Sequence, residues 1–228
     1  LEVLHCDKPG TGLIDAPRAF SMKLAQVTEK ICGLIPTSVD NELTAKHVNN
    51  QLVALLAKHV DDLKVCGFKK YVDQIFFEIG KVFGDLKVDR NEFTNCGVRH
   101  IQDPTTKEVT LDQIEYIKCL KPIIHPELSG DSETDCSPEL QALYMSLLGA
   151  ACYCLMTRLD AAVYLTALQR MMQQAKIIHI KRLNAVVRWL QRVPKMLCYP
   201  RLDGLRTELL LISDAAFKKE EGDGHALK

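Results

Sequence analysis

The chain has no run that approaches the roughly 18 consecutive apolar residues of a membrane-spanning helix, and its first residues do not read as a signal peptide. It has no C-x-x-C pair and no Cys/His cluster at zinc-ligand spacing, although it contains nine cysteines. That odd number, scattered singly apart from Cys152 and Cys154, speaks against a disulfide framework. It reads as small buried thiols in a reducing compartment. Net charge is also missing, with 29 Lys and Arg against 29 Asp and Glu. Internal repeats and low-complexity tracts are absent as well, so neither a repeat array nor a disordered tract is indicated. What remains is a 228-residue chain, 47% apolar and 25% charged, long enough for one large domain or two small ones with a real core. It begins with Leu1 rather than Met, and a fragment of a longer polypeptide is expected.

The most informative residues are His59-Val60-Asp61-Asp62, between the apolar runs Leu52 to Ala57 and Leu63 to Cys66. The pattern predicts strand, tight turn, strand, with two adjacent carboxylates at the tip. Such a pair suits a hard divalent cation of the kind that holds triphosphates in phosphoryl or nucleotidyl transfer. The plain alternative is a solvated turn.

Zero net charge hides an asymmetry. From Arg170 to Arg206 there are nine Lys and Arg, and Asp203 is the only acid. A basic stripe on helices suits nucleic-acid phosphates, or is a solvated helix face. Glu127 to Glu139, by contrast, carries five acids among Ser, Gly and Pro and reads as a linker.

The expected elements are these. A helix covers 15–31, with Asp15 as N-cap, Pro17 in the first turn and Phe20, Leu24, Val27 and Ile31 as its buried stripe. The carboxylate hairpin follows. A second helix covers about 69–83, stopped by Gly84. Short strands occupy 86–111, with Val98, Ile101, Val109 and Leu111 inward, and a short helix occupies 112–121, stopped by Pro122. Ser137-Pro138-Glu139 starts a long helix to about Met156, with further helices near 160–174 and 178–193. Pro200 and Gly204 break the chain before an apolar strand at Leu209 to Ile212, and His225 begins a hairpin partner. The fold class is α+β.

Eight segments in this order resemble copia-type LTR-retrotransposon reverse transcriptases. Gly12-Leu13-Ile14-Asp15-Ala16-Pro17-Arg18-Ala19-Phe20 is similar to that family's G-L-K-Q-A-P-R-A-W, and His59-Val60-Asp61-Asp62 stands where it has Y-V-D-D. Asn95-Cys96-Gly97-Val98-Arg99-His100-Ile101 resembles F-L-G-I-E-I, and Thr110 to Ile117 resembles L-S-Q-x-x-Y-I. Tyr144 to Ala150 resembles Y-R-S-x-V-G-S, and Thr157-Arg158-Leu159-Asp160 resembles T-R-P-D. Lys181-Arg182 with Val187 to Leu190 resembles K-R-I-L-R-Y-L-K-G, and Ser213-Asp214-Ala215-Ala216 resembles S-D-A-D at the start of the family's RNase H domain.

The resemblance implies a partial right-hand palm and fingers over 1–121, then the acidic linker 122–137. A helical thumb or connection over 138–206 and the first hairpin of an RNase H-like sheet over 207–228 complete it. It implies RNA-directed DNA polymerisation with Mg²⁺ or Mn²⁺, two ions about 3.5–4 Å apart. Asp61 is the expected metal ligand, with Asp62 in support or capping backbone N–H groups of the turn. Asp15, Arg18, His59 and Gly97 are the expected nucleotide and primer contacts, Gly97 lying in the primer-positioning hairpin. The milder reading of Asp15 is that it only caps its helix, and Arg18 meets phosphate or makes a local salt bridge. Lys181, Arg182, Arg188 and Arg192 are the expected backbone contacts. Trp189 either stacks on a base or, as expected here, packs into the helical core. Asp214 matches the first RNase H carboxylate, and no cleavage activity is assigned to it. RNA template, DNA primer, dNTPs and other parts of the Pol polyprotein are the implied partners, with no membrane. A cytoplasmic virus-like particle or the nucleus is the implied location.

The family also needs an aspartate upstream of G-L-K-Q-A-P-R, and Asp7 sits in a turn-like context that does not supply it. Truncation is the expected reason, with polymerisation weak or absent in this chain alone. A remnant that only binds nucleic acid is the competing expectation. A different palm-like nucleotidyl transferase or cyclase is a remote third.

Overall fold

The computed structural model describes residues 14 and 16–201. The chain divides into two units, 1–90 and 91–228, and each has its own four-stranded antiparallel sheet. The α+β expectation is met. Gly12, Asp15, Leu209 to Ile212, Asp214 and His225 lie outside the described residues.

In the first unit, α1 (Ala16–Ala25) continues as a π-helical turn, Gln26–Ile31, rather than as the regular helix expected. Thr28 is fully buried, and its Oγ1 donates to the Leu24 carbonyl at 3.0 Å. Its own carbonyl accepts from Leu34 N at 2.9 Å, and the Val27 carbonyl accepts from Cys32 N at 3.0 Å. The wider turn keeps Leu24 and Val27 buried but leaves Ile31 54% exposed, so the predicted stripe loses its last member.

The sheet runs β1 (Ile35–Pro36), β2 (Leu43–Val48), β3 (Gln51–His59), β4 (Asp62–Gly67), in that spatial order. β1 and β2 were not anticipated. Their signal is Asn49-Asn50, which joins β2 to β3 with φ of 51° and 62°. Two left-handed residues make the tight hairpin turn whose twist matches the strands, and Asn tolerates that region best after Gly. α2 (Lys69–Phe83) has the predicted bounds, and Val72, Ile75 and Ile79 form its buried face. Leu24, Leu34, Leu56, Ile75 and Ile79 make the core, each side chain contributing about 1.5–3 kcal/mol of burial. Gly67, at φ 151°, passes so close to β3 that a Cβ would lie 2.3 Å from the Val53 carbonyl oxygen. No other residue fits there.

The second unit begins with β5 (Glu92–Asn95), β6 (Val98–Gln102) and β7 (Val109–Asp112), in register as consecutive antiparallel neighbours. α3 (Ile114–Cys119) follows, its first N–H, on Ile114, donating to Asp112 Oδ1 at 3.0 Å. α4 (Pro138–Tyr153) starts where predicted, with Leu140 N donating to Ser137 Oγ at 3.3 Å. α5 (Ala162–Gln169) and α6 (Ile177–Arg192) complete the helices. A further strand, β8 (Leu197–Tyr199), pairs with β7 and was read from sequence only as a break.

Three expectations change here. The acidic stretch 122–137 does not separate two bodies. The division falls at 90/91, and the stretch is packed onto α6. Asn184, 3% exposed, accepts from Ile123 N at 2.7 Å and donates to the Ile123 carbonyl at 2.8 Å. Ile177 N also donates to the Thr134 carbonyl at 3.0 Å. The acids stay at the surface while the backbone and Ile123 serve the core. The helix expected over 160–174 stops at Gln169 because the Gln141 side chain takes over the following backbone. It donates to the Met172 carbonyl and accepts from Ala175 N at 3.0 Å. Finally, Pro138–Met156 is long and apolar enough, by length and composition, to cross a membrane, although no uninterrupted apolar run announces it. Leu140, Tyr144, Leu148 and Ala151 recur on its one buried face, the pattern of a core helix.

Candidate functional site

The paired carboxylates of the first unit sit as expected. β3 and β4 pair in register up to His59 and Asp62, leaving Val60-Asp61 as a two-residue turn. Val60 has φ of 57°. A β-branched side chain rarely adopts that region, and the strain is of the order of 1–3 kcal/mol. It is held because the ladder below is continuous and Leu56 is fully buried in it. His59, Asp61 and Asp62 are all exposed. Arg18, in the first turn of α1, is exposed too.

Two adjacent carboxylates suit one Mg²⁺ that keeps its waters and arrives with substrate phosphates. They do not by themselves fit two ions, and among the described residues no group of three or more His, Cys, Asp and Glu comes together. Asp61 with Asp62 could supply donors for a single hard cation.

In the second unit, Gly97 has a structural role that its sequence motif did not reveal. Cys96 and Gly97, at φ 48° and 68°, form the two-residue turn between β5 and β6. The Tyr153 hydroxyl donates to the Cys96 carbonyl, and a Cβ on Gly97 would lie 3.3 Å from the Tyr153 ring. The hairpin tip is seated on the end of α4.

Thr157-Arg158-Leu159-Asp160 is likewise an internal fastening. Arg158 is 1% exposed. Its guanidinium donates to both Asp160 oxygens, at 2.9 and 3.1 Å, and to the Leu190 and Val193 carbonyls at the end of α6, at 3.3 and 2.9 Å. Arg158 holds the Asp160 carboxyl down at about 2, with Lys195, 3.0 Å away, adding to the effect. The Arg158 guanidinium carbon also lies 4.9 Å from the centre of the Trp189 ring. Trp189 thus packs rather than presenting its face, as expected.

The basic stripe divides into engaged and free cations. Lys176 pairs with Glu133 at 3.0 Å, Lys195 with Asp160, and Lys181 donates to Ser132 Oγ at 3.1 Å. Arg182, Arg188 and Arg192 are exposed and have no ion pair or hydrogen bond among the described residues. Helical spacing places Lys181, Ala185, Arg188 and Arg192 along one face of α6. Ala185, Arg188, Gln191 and Arg192 line a shallow concavity of about 440 Å³ there. Gln191 is fixed by donating to the Ile117 and Leu120 carbonyls, at 3.1 and 2.7 Å. At the other end, His179 Nδ1 accepts from Lys176 N at 2.9 Å. Burial lowers the imidazole's pKa, Arg182 and Lys176 adding to the shift, which keeps it neutral for that role.

The expected contacts therefore fall into two groups. His59, Asp61 and Asp62 share the hairpin tip of the first unit. Lys181, Arg188 and Arg192 share a helix face of the second, with Arg182 beside it. Gly97 is not on that face but in the β5–β6 turn beside Tyr153. Tyr164, described below, was missed because a lone tyrosine in an apolar run carries no signal of its own. No protein-family model, curated protein or solved structure matches the chain.

Proposed function

We propose that this chain is a segment of an RNA-directed DNA polymerase of the copia-type retrotransposon kind. Asp61, supported by Asp62, holds the divalent cation, and α6 contacts the phosphate backbone of an RNA template and DNA primer. What carries the reading is the Val60-Asp61 turn. It presents adjacent carboxylates from a strained tip whose strand β3 is anchored by the buried Val53, Ala54 and Leu56, within an ordered series of segments similar to that family. Mg²⁺ or Mn²⁺, when bound, neutralises triphosphate charge there. Other parts of the Pol polyprotein would complete the working enzyme.

Primer extension on a primed RNA template with dNTPs and Mg²⁺ or Mn²⁺ tests the reading. Any incorporation should be abolished by Asp61→Asn. Incorporation that survives this change removes the metal site from the hairpin.

The second reading is a nucleic-acid binder without polymerase activity, and the observation in its favour is the two-carboxylate donor set. It expects salt-dependent binding of primer–template, weakened by neutralising Arg182, Arg188 and Arg192, and no extension. Binding indifferent to salt counts against both readings.

A further inference from the structure

We propose that Tyr164 of α5 is the base-stacking residue of the α6 interface, and that this interface takes a single-stranded segment of nucleic acid in preference to a blunt duplex. The inference rests on the reading that α6 contacts phosphates. Trp189 is the chain's only tryptophan, but its ring is already used. The Arg158 guanidinium lies against it, and Tyr164 meets it edge to face, with centroids 6.1 Å apart and planes at 69°.

Tyr164 itself is 56% exposed, and its hydroxyl has no hydrogen bond among the described residues. α5 carries no charged residue, so no side chain of its own helix competes for the ring. Tyr164 meets α6 at Trp189, and Arg192 lies about one turn further along that helix. An exposed aromatic ring and exposed arginines on neighbouring helices are the combination that single strands require. Arginine meets the backbone, and the ring meets a base face whatever the base. In a blunt duplex those faces are stacked on one another and unavailable.

The experiment compares a labelled oligodeoxythymidylate with a blunt duplex of equal length, by fluorescence anisotropy with the full chain. Tyr164→Leu keeps apolar packing on Trp189 but removes the aromatic face. It should weaken single-strand binding roughly 5- to 100-fold and leave duplex binding and thermal unfolding unchanged, while Tyr164→Phe binds as the parent does. Equal weakening of both nucleic acids, or none, overturns the proposal. The double change Arg188→Gln, Arg192→Gln distinguishes the two levels. If it weakens both nucleic acids and flattens the salt dependence while Tyr164→Leu does nothing, stacking fails and the phosphate reading stands. If it changes neither, the phosphate reading falls and the proposal with it.

Discussion

Each unit has a two-residue hairpin turn that sequence resemblance marks as functional, and the two turns are built in opposite ways. Cys96-Gly97 places glycine where φ is 68°, and the tip rests under Tyr153, whose hydroxyl holds the Cys96 carbonyl. Val60-Asp61 places a β-branched residue at φ 57°, and Val60 and Asp61 are both exposed. Glycine at one of the two left-handed positions, with Cys96 at the other, and a tyrosine of α4 bonded to the tip describe a structural turn. Strain at a β-branched residue, maintained by the buried residues of β3 beneath it, is a condition under which a turn keeps an unfavourable geometry.

The largest test of the structural side is Arg158→Ala, which leaves Asp160 without its main partner and the last carbonyls of α6 without donors. A loss of about 3–5 kcal/mol is expected, read as a lower urea midpoint by Trp189 fluorescence. A small loss would mean that Thr157 to Asp160 is not the fastening described. Gly97→Val should cost about 2 kcal/mol, through left-handed backbone strain and crowding of Tyr153 at 3.3 Å. No cost would erase the distinction between the turns.

Acid should act on the Arg158 cluster next. Asp160 titrates at about 2, below its ordinary value of 3.8. Its contribution is therefore fully present above pH about 4 and is lost as pH falls through about 2. With its side chain 30% exposed, screening limits this to about 1–2 kcal/mol. Acid titration of the parent and of Asp160→Asn measures it, and the two curves should converge at the acid end. The smallest effect belongs to Val60→Gly. Relief of strain, less the entropy of glycine, should stabilise the hairpin by up to about 1 kcal/mol, read as a raised urea midpoint. Destabilisation would show that Val60 is not strained and would remove the basis of the comparison.

Much of this was legible before any coordinates. The bounds of α2, the Ser137 cap of α4 and the β3–β4 hairpin follow from periodicity, capping chemistry and turn length, which are properties of neighbouring residues. Of the candidate site, the carboxylate tip and the basic helix were readable in the same way. The π-helical turn at Gln26–Ile31 was not, because it depends on how Leu34 returns to the Thr28 carbonyl. Nor was the packing of the acidic stretch, which depends on Asn184 reaching Ile123 across 61 positions of sequence.

The amino-acid sequence by itself determined the bounds of α2, the start of α4, where two aspartates meet at a turn, and where cations collect. Only the tertiary structure decided which cations are free. Lys176, Lys181 and Lys195 find partners from distant segments, while among the described residues Arg182, Arg188 and Arg192 do not. The same holds for the buried Arg158 and the exposed Tyr164, which are ordinary letters in the sequence. Local conformation follows from neighbours within a few residues, whereas burial, pairing and exposure are set by residues that meet only when the chain has folded.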